Sequence, residues 1–171
     1  MRGEVANIVR YHRGREPSRA RRRLRHGDTV LSTVRPDREA HLLCLNPAET
    51  LIASTGFTVL TPRDDHWAFL HSAVSRRVVG DELGRLADGG AYPAVRPEAI
   101  AGLNVVVPAE PILAAFEKIA RPSFERAAQN RIESKTRAAL RDALLPKLIS
   151  GDLRVKDAER LLEETAEWEE T

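Results

Sequence analysis

Between residues 28 and 60 the apolar positions arrive in short bursts. The runs DTVLSTV (28–34), HLLCL (41–45) and GFTVL (56–60) are β-branched and apolar and are bounded by Gly, Pro, Asn and Asp, which predicts three strands. The period then lengthens. Trp67, Leu70, Val74 and Val78 recur at three- and four-residue spacing, predicting an amphipathic helix over 65–79, with a second short helix over 81–86. A glycine-rich loop, 87–93, leads to a turn of helix near 97–101 and a further strand, LNVVV, over 103–107. Pro108 and Pro111 mark the switch to a helical zone whose first face is Ile112, Leu113, Phe116 and Ile119. Pro122 is expected to bend or restart that helix, and Ser123 to cap the next helical segment. From Phe124 the stripe continues as Ala128, Ile132, Thr136, Ala139, Ala143 and Leu144, interleaved with charged residues, and Leu148 extends it. Residues 123–145 as helix would reach about 35 Å at 1.5 Å per residue. The small residues in the stripe favour close approach of a second helix over deep core burial. A break is expected at Pro146 and an end at Gly151, with a short apolar strand after it.

Composition changes this picture through distribution more than through totals. The chain has 171 residues, enough for one ordinary domain and an appendage, and a net charge of only +2. Residues 10–25 nevertheless carry eight arginines (Arg10, Arg13, Arg15, Arg19, Arg21, Arg22, Arg23 and Arg25) against one acid, Glu16. Asp157, Glu159, Glu163, Glu164, Glu167, Glu169 and Glu170 reverse the sign at the far end. One end suits polyanions and the other repels them. Residues 1–27 are weakly patterned and predict loop with at most short structure. The single cysteine, Cys44, sits in an apolar run and predicts a buried structural thiol rather than a nucleophile. No leader-like or membrane-spanning apolar run is present in the sequence, so a soluble, cytoplasmic chain without a membrane partner is expected.

The candidate chemistry is recognition of DNA. Ser32, Thr33, Ser54 and Thr55 are short hydroxyls at strand ends, suited to phosphates or base edges. Arg35 comes directly after the first pair and has the fork geometry for guanine O6 and N7. Gly89 and Gly90 would let a backbone approach a phosphate, with Tyr92 able to stack or donate. The competing reading is that these are ordinary turns whose hydroxyls satisfy backbone groups. Arg21, Arg22, Arg23 and Arg25 would hold phosphates, which positions a protein on DNA without reading sequence. Nothing in the pattern supports catalysis. Nucleotide, metal and methyl-donor motifs are missing, His66 and His71 do not share a helical face well, and Glu133 and Lys135 read as a surface ion pair. The expectation is a non-enzyme with no cofactor and no metal; a stand-alone enzyme is the weakest alternative.

Four strings in order bear on identity: GDTVLSTVRP (27–36), IASTGFTVLTP (52–62), GGAYPAV (89–95) and LLPKLISGDLRV (144–155). Together they resemble the DNA-specificity subunit of type I restriction-modification enzymes over about residues 24–155. The resemblance implies an α+β fold: a small mixed target-recognition domain over 1–109, a helical arm over 110–155 that pairs as an antiparallel coiled coil, and an acidic tail over 156–171. It implies double-stranded DNA, methyltransferase and restriction subunits as partners. It also implies an arm interface made of Phe124, Ala128, Ile132, Thr136, Ala139, Ala143, Leu144 and Leu148. An intact subunit of that family has two recognition domains and two conserved helices, whereas this chain has one of each and less sequence before its first motif. A half-subunit working as a homodimer, or paired with another specificity chain, is the first reading. A truncated remnant that assembles through its helix without binding DNA is the second.

Overall fold

The computed structural model describes residues 8–12 and 14–154. Arg13, the end of the apolar strand expected after Gly151, and the acidic segment 156–171 lie outside the described residues. The structure is mixed α+β, with small sheets and a long C-terminal helix. The strands are β1 (Ala20–Arg23), β2 (Thr29–Ser32), β3 (His41–Leu43), β4 (Ile52–Ser54) and β5 (Phe57–Leu60). The helices are α1 (Trp67–Val74), α2 (Arg77–Arg85), α3 (Pro97–Ala101) and α4 (Glu110–Ser150), and a 3-10 turn spans Pro36–Arg38. The chain divides into two compact units, residues 1–125 and 126–171, so α4 begins in the first and continues in the second.

In the first unit β2 is the central strand of an antiparallel sheet ordered β3-β2-β5, and β1 pairs with β4 in a separate antiparallel ribbon. Alternation along β2 divides the core, because successive side chains of a strand point to opposite faces. Val30 joins Leu24 and Cys44, with Leu42, Leu51, Ala53 and Val59 packed around them. Leu31 faces the other way and joins Val74, Val79, Leu83, Val95 and Ile100. Each such side chain, fully buried, contributes roughly 1.5–3 kcal/mol.

Several expectations are corrected by this fold. The arginine-rich region contains a strand, β1, because its partner β4 supplies a ladder; Arg22 lies opposite Ala53 and Arg23 opposite Ile52. The helix expected over 65–79 is two helices. Arg76 is extended, and after it α2 turns Val79 and Leu83 to the core while Val78 stays exposed. Gly80 and Gly84 let α2 lie against the 3-10 turn: a Cβ at Gly80 would come within 2.9 Å of Glu39 Cγ, and one at Gly84 within 3.3 Å of Asp37 Cβ. Residues 103–107 form no strand. Only Leu103 packs on the core, while Val106 is 90% exposed, so no ladder is available to them.

The long helix is also continuous where breaks were expected. It starts at Glu110 with Pro111 in its first turn, where a missing N–H costs nothing, and runs through Pro122 and Pro146 to Ser150. Ser123 is therefore no cap; its hydroxyl donates back to the Ile119 carbonyl at 3.3 Å. Pro122 lies between Arg121 and Phe124, both of which contact Trp67 of α1. Gly151, at φ +77, ends the helix as expected, and the Leu153 N–H donates to the Lys147 carbonyl at 3.0 Å.

Candidate nucleic-acid interface

The arginine strand is split by its own alternation. Ala20 and Arg22 are half-buried and Leu24 is buried, whereas Arg19, Arg21, Arg23 and Arg25 are exposed. Arg22 thus shares the inward side of β1 with Leu24, and the other four arginines form the outward row. An outward cationic row raises the positive potential on that face.

From this row a chain of hydrogen bonds leads across the first unit. The Thr55 N–H donates to the Arg19 carbonyl at 2.9 Å, which ties the turn between β4 and β5 to the start of β1. The Thr33 N–H and hydroxyl both donate to the Gly56 carbonyl, at 3.1 and 2.8 Å. The Val95 N–H donates to the Thr33 carbonyl at 2.9 Å, and the Arg35 N–H to the Pro93 carbonyl at 2.8 Å. Four separate segments, around residues 19, 55, 33–35 and 89–95, are thereby gathered in one neighbourhood. Sequence spacing alone could not reveal that.

Within it the hydroxyls have local work. Ser32 Oγ donates to the Val34 carbonyl at 2.8 Å, and Ser54 Oγ accepts from the Gly56 N–H at 3.3 Å. Thr33 is buried with its hydroxyl committed to Gly56. Thr55 is exposed, and no hydrogen bond of its hydroxyl occurs among the described residues. Ser32, Thr33 and Ser54 thus shape turns; Ser32 and Thr33 keep only acceptor lone pairs, whereas Ser54 and Thr55 keep an O–H donor.

Arg35 and Tyr92 are arranged differently. Arg35 has left-handed backbone angles (φ 49, ψ 58), uncommon for a residue with a Cβ. Its Nη2 donates to the Ala91 carbonyl at 3.1 Å, and its guanidinium carbon sits 5.0 Å from the centroid of the Tyr92 ring. The ring itself is 72% exposed. The loop that presents it turns at Gly89, where φ is +117 and a Cβ would meet the Tyr92 carbonyl at 2.9 Å, so no other residue fits without strain. The Tyr92 N–H closes that turn on the Gly89 carbonyl at 2.9 Å. Gly90, at φ +50, has open space around it.

A second cluster went unforeseen. α1 has no N-cap side-chain bond and no acid in its first turn. Glu117 of α4 supplies both: its buried carboxylate accepts from the Ala68 N–H at 3.3 Å and the Phe69 N–H at 2.8 Å. Arg121 Nε donates to Glu117 at 2.8 Å and Nη1 to Asp65 at 2.8 Å, and Nη2 donates to the Asp65 carbonyl. These bonds, that to Glu117 first, raise the Arg121 pKa further above its ordinary value. The guanidinium also lies over the ring of Trp67, which is 1% exposed and packs against His26 and Phe124. The available signal was the i, i+4 pair Glu117/Arg121 on the same face as Leu113. An inward-facing carboxylate is only meaningful once its partner helix end is known.

The remaining candidates fall elsewhere in the fold. Cys44 is buried, as expected, and its thiol is pushed up to about 11 by burial and by Asp28. Asp28 accepts from the Arg25 N–H and the Thr61 hydroxyl, each at 2.7 Å. His71 is buried beside Thr29, and His66 lies 3.4 Å from Glu110. Glu133 forms a surface ion pair with Arg137 at 3.1 Å rather than with Lys135. Among the described residues no group of three His, Cys, Asp or Glu side chains could hold a metal. No described helix is long and apolar enough to cross a membrane.

Of the residues expected at a helix interface, Phe124 packs within the first unit, with ring centroids 6.2 Å from Trp67 and 5.3 Å from His71. In the second unit Ala128 is half-buried, and Ile132, Thr136, Ala139, Ala143, Leu144 and Leu148 are exposed. Thr136 donates its hydroxyl to the Ile132 carbonyl at 3.2 Å.

No family model matches the chain. It is 35% identical over 69 residues to the specificity subunit of the type I restriction enzyme MjaIX of Methanocaldococcus jannaschii. The match takes in 40% of this chain and 16% of that relative's length.

Proposed function

We propose that the first unit is a sequence-specific DNA-recognition module and that the chain serves as a specificity component of a type I restriction-modification system. The observation that carries this is the hydrogen-bonded run from the outward arginine row of β1, through the β4–β5 turn, to Arg35 and Tyr92. It joins an outward cationic row to a half-buried arginine fork, suited to the two kinds of contact that a DNA reader needs. The partial likeness to a type I specificity subunit supports the same reading. In it, Arg19, Arg21, Arg23 and Arg25 hold phosphates, Arg35 reads a base edge, and Ser32, Thr33 and Ser54 act by shaping the loops. Thr55, Gly89, Gly90 and Tyr92 complete the contact surface. Cleavage and methylation belong to restriction and methyltransferase subunits, and the chain works in the cytoplasm without a cofactor.

The arm is proposed to pair with a second helix through the exposed stripe Ile132, Thr136, Ala139, Ala143, Leu144 and Leu148, as an antiparallel coiled coil. The partner is a second copy or another specificity chain. A two-fold axis through paired arms would present the same surface to two inverted half-sites, so a homodimer should direct methylation to an interrupted palindrome. Titration of duplex DNA at several salt concentrations tests the DNA reading. Binding should weaken linearly in log salt, and replacing Arg21 or Arg23 should lower the slope by about one each, whereas replacing Arg22 should not. The same uncovered stripe favours a second reading, a helix-mediated assembly protein without DNA binding. Duplex titration that shows no binding while the arm still associates would select it.

A further inference from the structure

We propose that Tyr92 is a positioning residue for Arg35, and that the two form one preset unit that reads a pair of adjacent acceptors on a base, such as guanine O6 and N7. This rests on the DNA-recognition reading above. A free arginine on a surface loses much rotamer freedom when it binds, whereas one already fixed does not. Arg35 is fixed at three points. Its backbone is held in the left-handed region by the bond to the Pro93 carbonyl, its Nη2 is bonded to the Ala91 carbonyl, and its guanidinium carbon sits over the Tyr92 ring. All three partners come from the one loop that Gly89 turns. A guanidinium has five N–H donors, and the Ala91 carbonyl takes one. Nε and Nη1 make no hydrogen bond among the described residues, so the second N–H of Nη2 and its neighbour on Nε or Nη1 leave a two-donor edge for a ligand. Tyr92, at 72% exposed, contributes almost no burial to the core, so stability of the first unit does not account for an aromatic ring there. A charged, half-buried, non-glycine residue held in left-handed geometry is where backbone strain serves a site.

The test uses the full chain and its Tyr92→Phe, Tyr92→Ala and Arg35→Ala variants against one randomised duplex pool, with sequencing of the bound fraction. The unaltered chain should prefer guanine at one position by roughly tenfold or more, and Arg35→Ala should lose that preference. Tyr92→Phe, which keeps the ring face, should retain the preference at the same position, and Tyr92→Ala should lose it there while other positions keep theirs. In free protein, relaxation of the Arg35 Nε–H measured by NMR should show an ordered guanidinium in the unaltered chain and in Tyr92→Phe, and a mobile one in Tyr92→Ala. Retained preference, or an equally ordered Arg35, in Tyr92→Ala would overturn the pairing while leaving DNA recognition standing. No binding of the pool by the unaltered chain would instead overturn DNA recognition, and the role assigned to Tyr92 with it.

Discussion

The two parts of α4 carry similar apolar repeats and meet different fates. Over 110–125 the helix buries Leu113 and Glu117 and half-buries Arg121 and Phe124, all of them on one face. Over 126–150 no residue is buried; Ile132 is 61% exposed, and Leu140, Leu144, Leu145, Leu148 and Ile149 are exposed as well. Hydrophobic spacing therefore predicts a helix in both parts but not what covers it. In the first part a charged pair, Glu117/Arg121, fixes the contact by satisfying the end of another helix. In the second the stripe has only small and aliphatic residues, with its charges paired locally as Glu133–Arg137 and Arg141–Asp142. Such exposed pairs are worth about 0–1 kcal/mol each, too little to stabilise about 25 residues of isolated helix strongly.

Breaking the covered half should have the largest effect. Glu117→Ala leaves the Ala68 and Phe69 N–H groups without their acceptor and Arg121 without its main partner, and it should cost about 3–5 kcal/mol by denaturant unfolding. A loss under about 0.5 kcal/mol would mean that the carboxylate is not the anchor. A smaller penalty, of order 1–3 kcal/mol, is expected for Gly27→Ala. Its Cβ would stand 2.8 Å from Trp67 Cβ at a φ of +83, pressing on the residue around which that anchor is built.

Cys44 sharpens the same contrast through pH. Its thiol is raised from 9.0 to about 11, so the folded state disfavours the thiolate. The stability this group contributes is fully present below pH 9 and is lost as pH rises from there through 11, by at most roughly 3 kcal/mol. Unfolding curves for the unaltered chain and Cys44→Ser should therefore converge in relative stability as pH climbs through that range. Alkylation of the folded chain near neutral pH should be slow and should become fast in urea.

The least effect on the first unit should come from the uncovered stripe. Leu144→Glu with Leu148→Glu should change unfolding of the first unit by less than about 0.5 kcal/mol, because neither side chain is buried. The same variant should lower helix content and abolish any concentration-dependent mass. If it instead unfolded the first unit, the contrast between the two halves of α4 would be wrong.

Several features were legible in residue order because they are local. The strand runs around β2, β3 and β5 declare themselves by β-branched residues between turn formers, and Gly151 marks a helix end because a positive φ favours glycine there. The burial of Cys44 accords with its apolar neighbours. The arginine block was legible as charge and not as geometry. That it pairs as β1, and that alternation turns Arg22 inward while Arg21 and Arg23 point out, depends on β4, about thirty residues away in the chain. Pro122 and Pro146 show the reverse case, in which a strong local rule yields to the continuous helix around it.

Residue order alone was enough for the mixed α+β class, the helical character of the C-terminal zone and the segregation of charge among the candidate residues. Which of them meet was settled by the packed fold. Arg35 and Tyr92 are far apart in the chain, and the bond from Arg35 Nη2 to the Ala91 carbonyl exists only because the loop turned by Gly89 returns to the end of β2. Glu117 likewise has meaning only beside the bare N-terminus of α1. Local preferences act through neighbours along the chain, whereas a hydrogen bond or a ring contact is decided by which segments the buried core draws together.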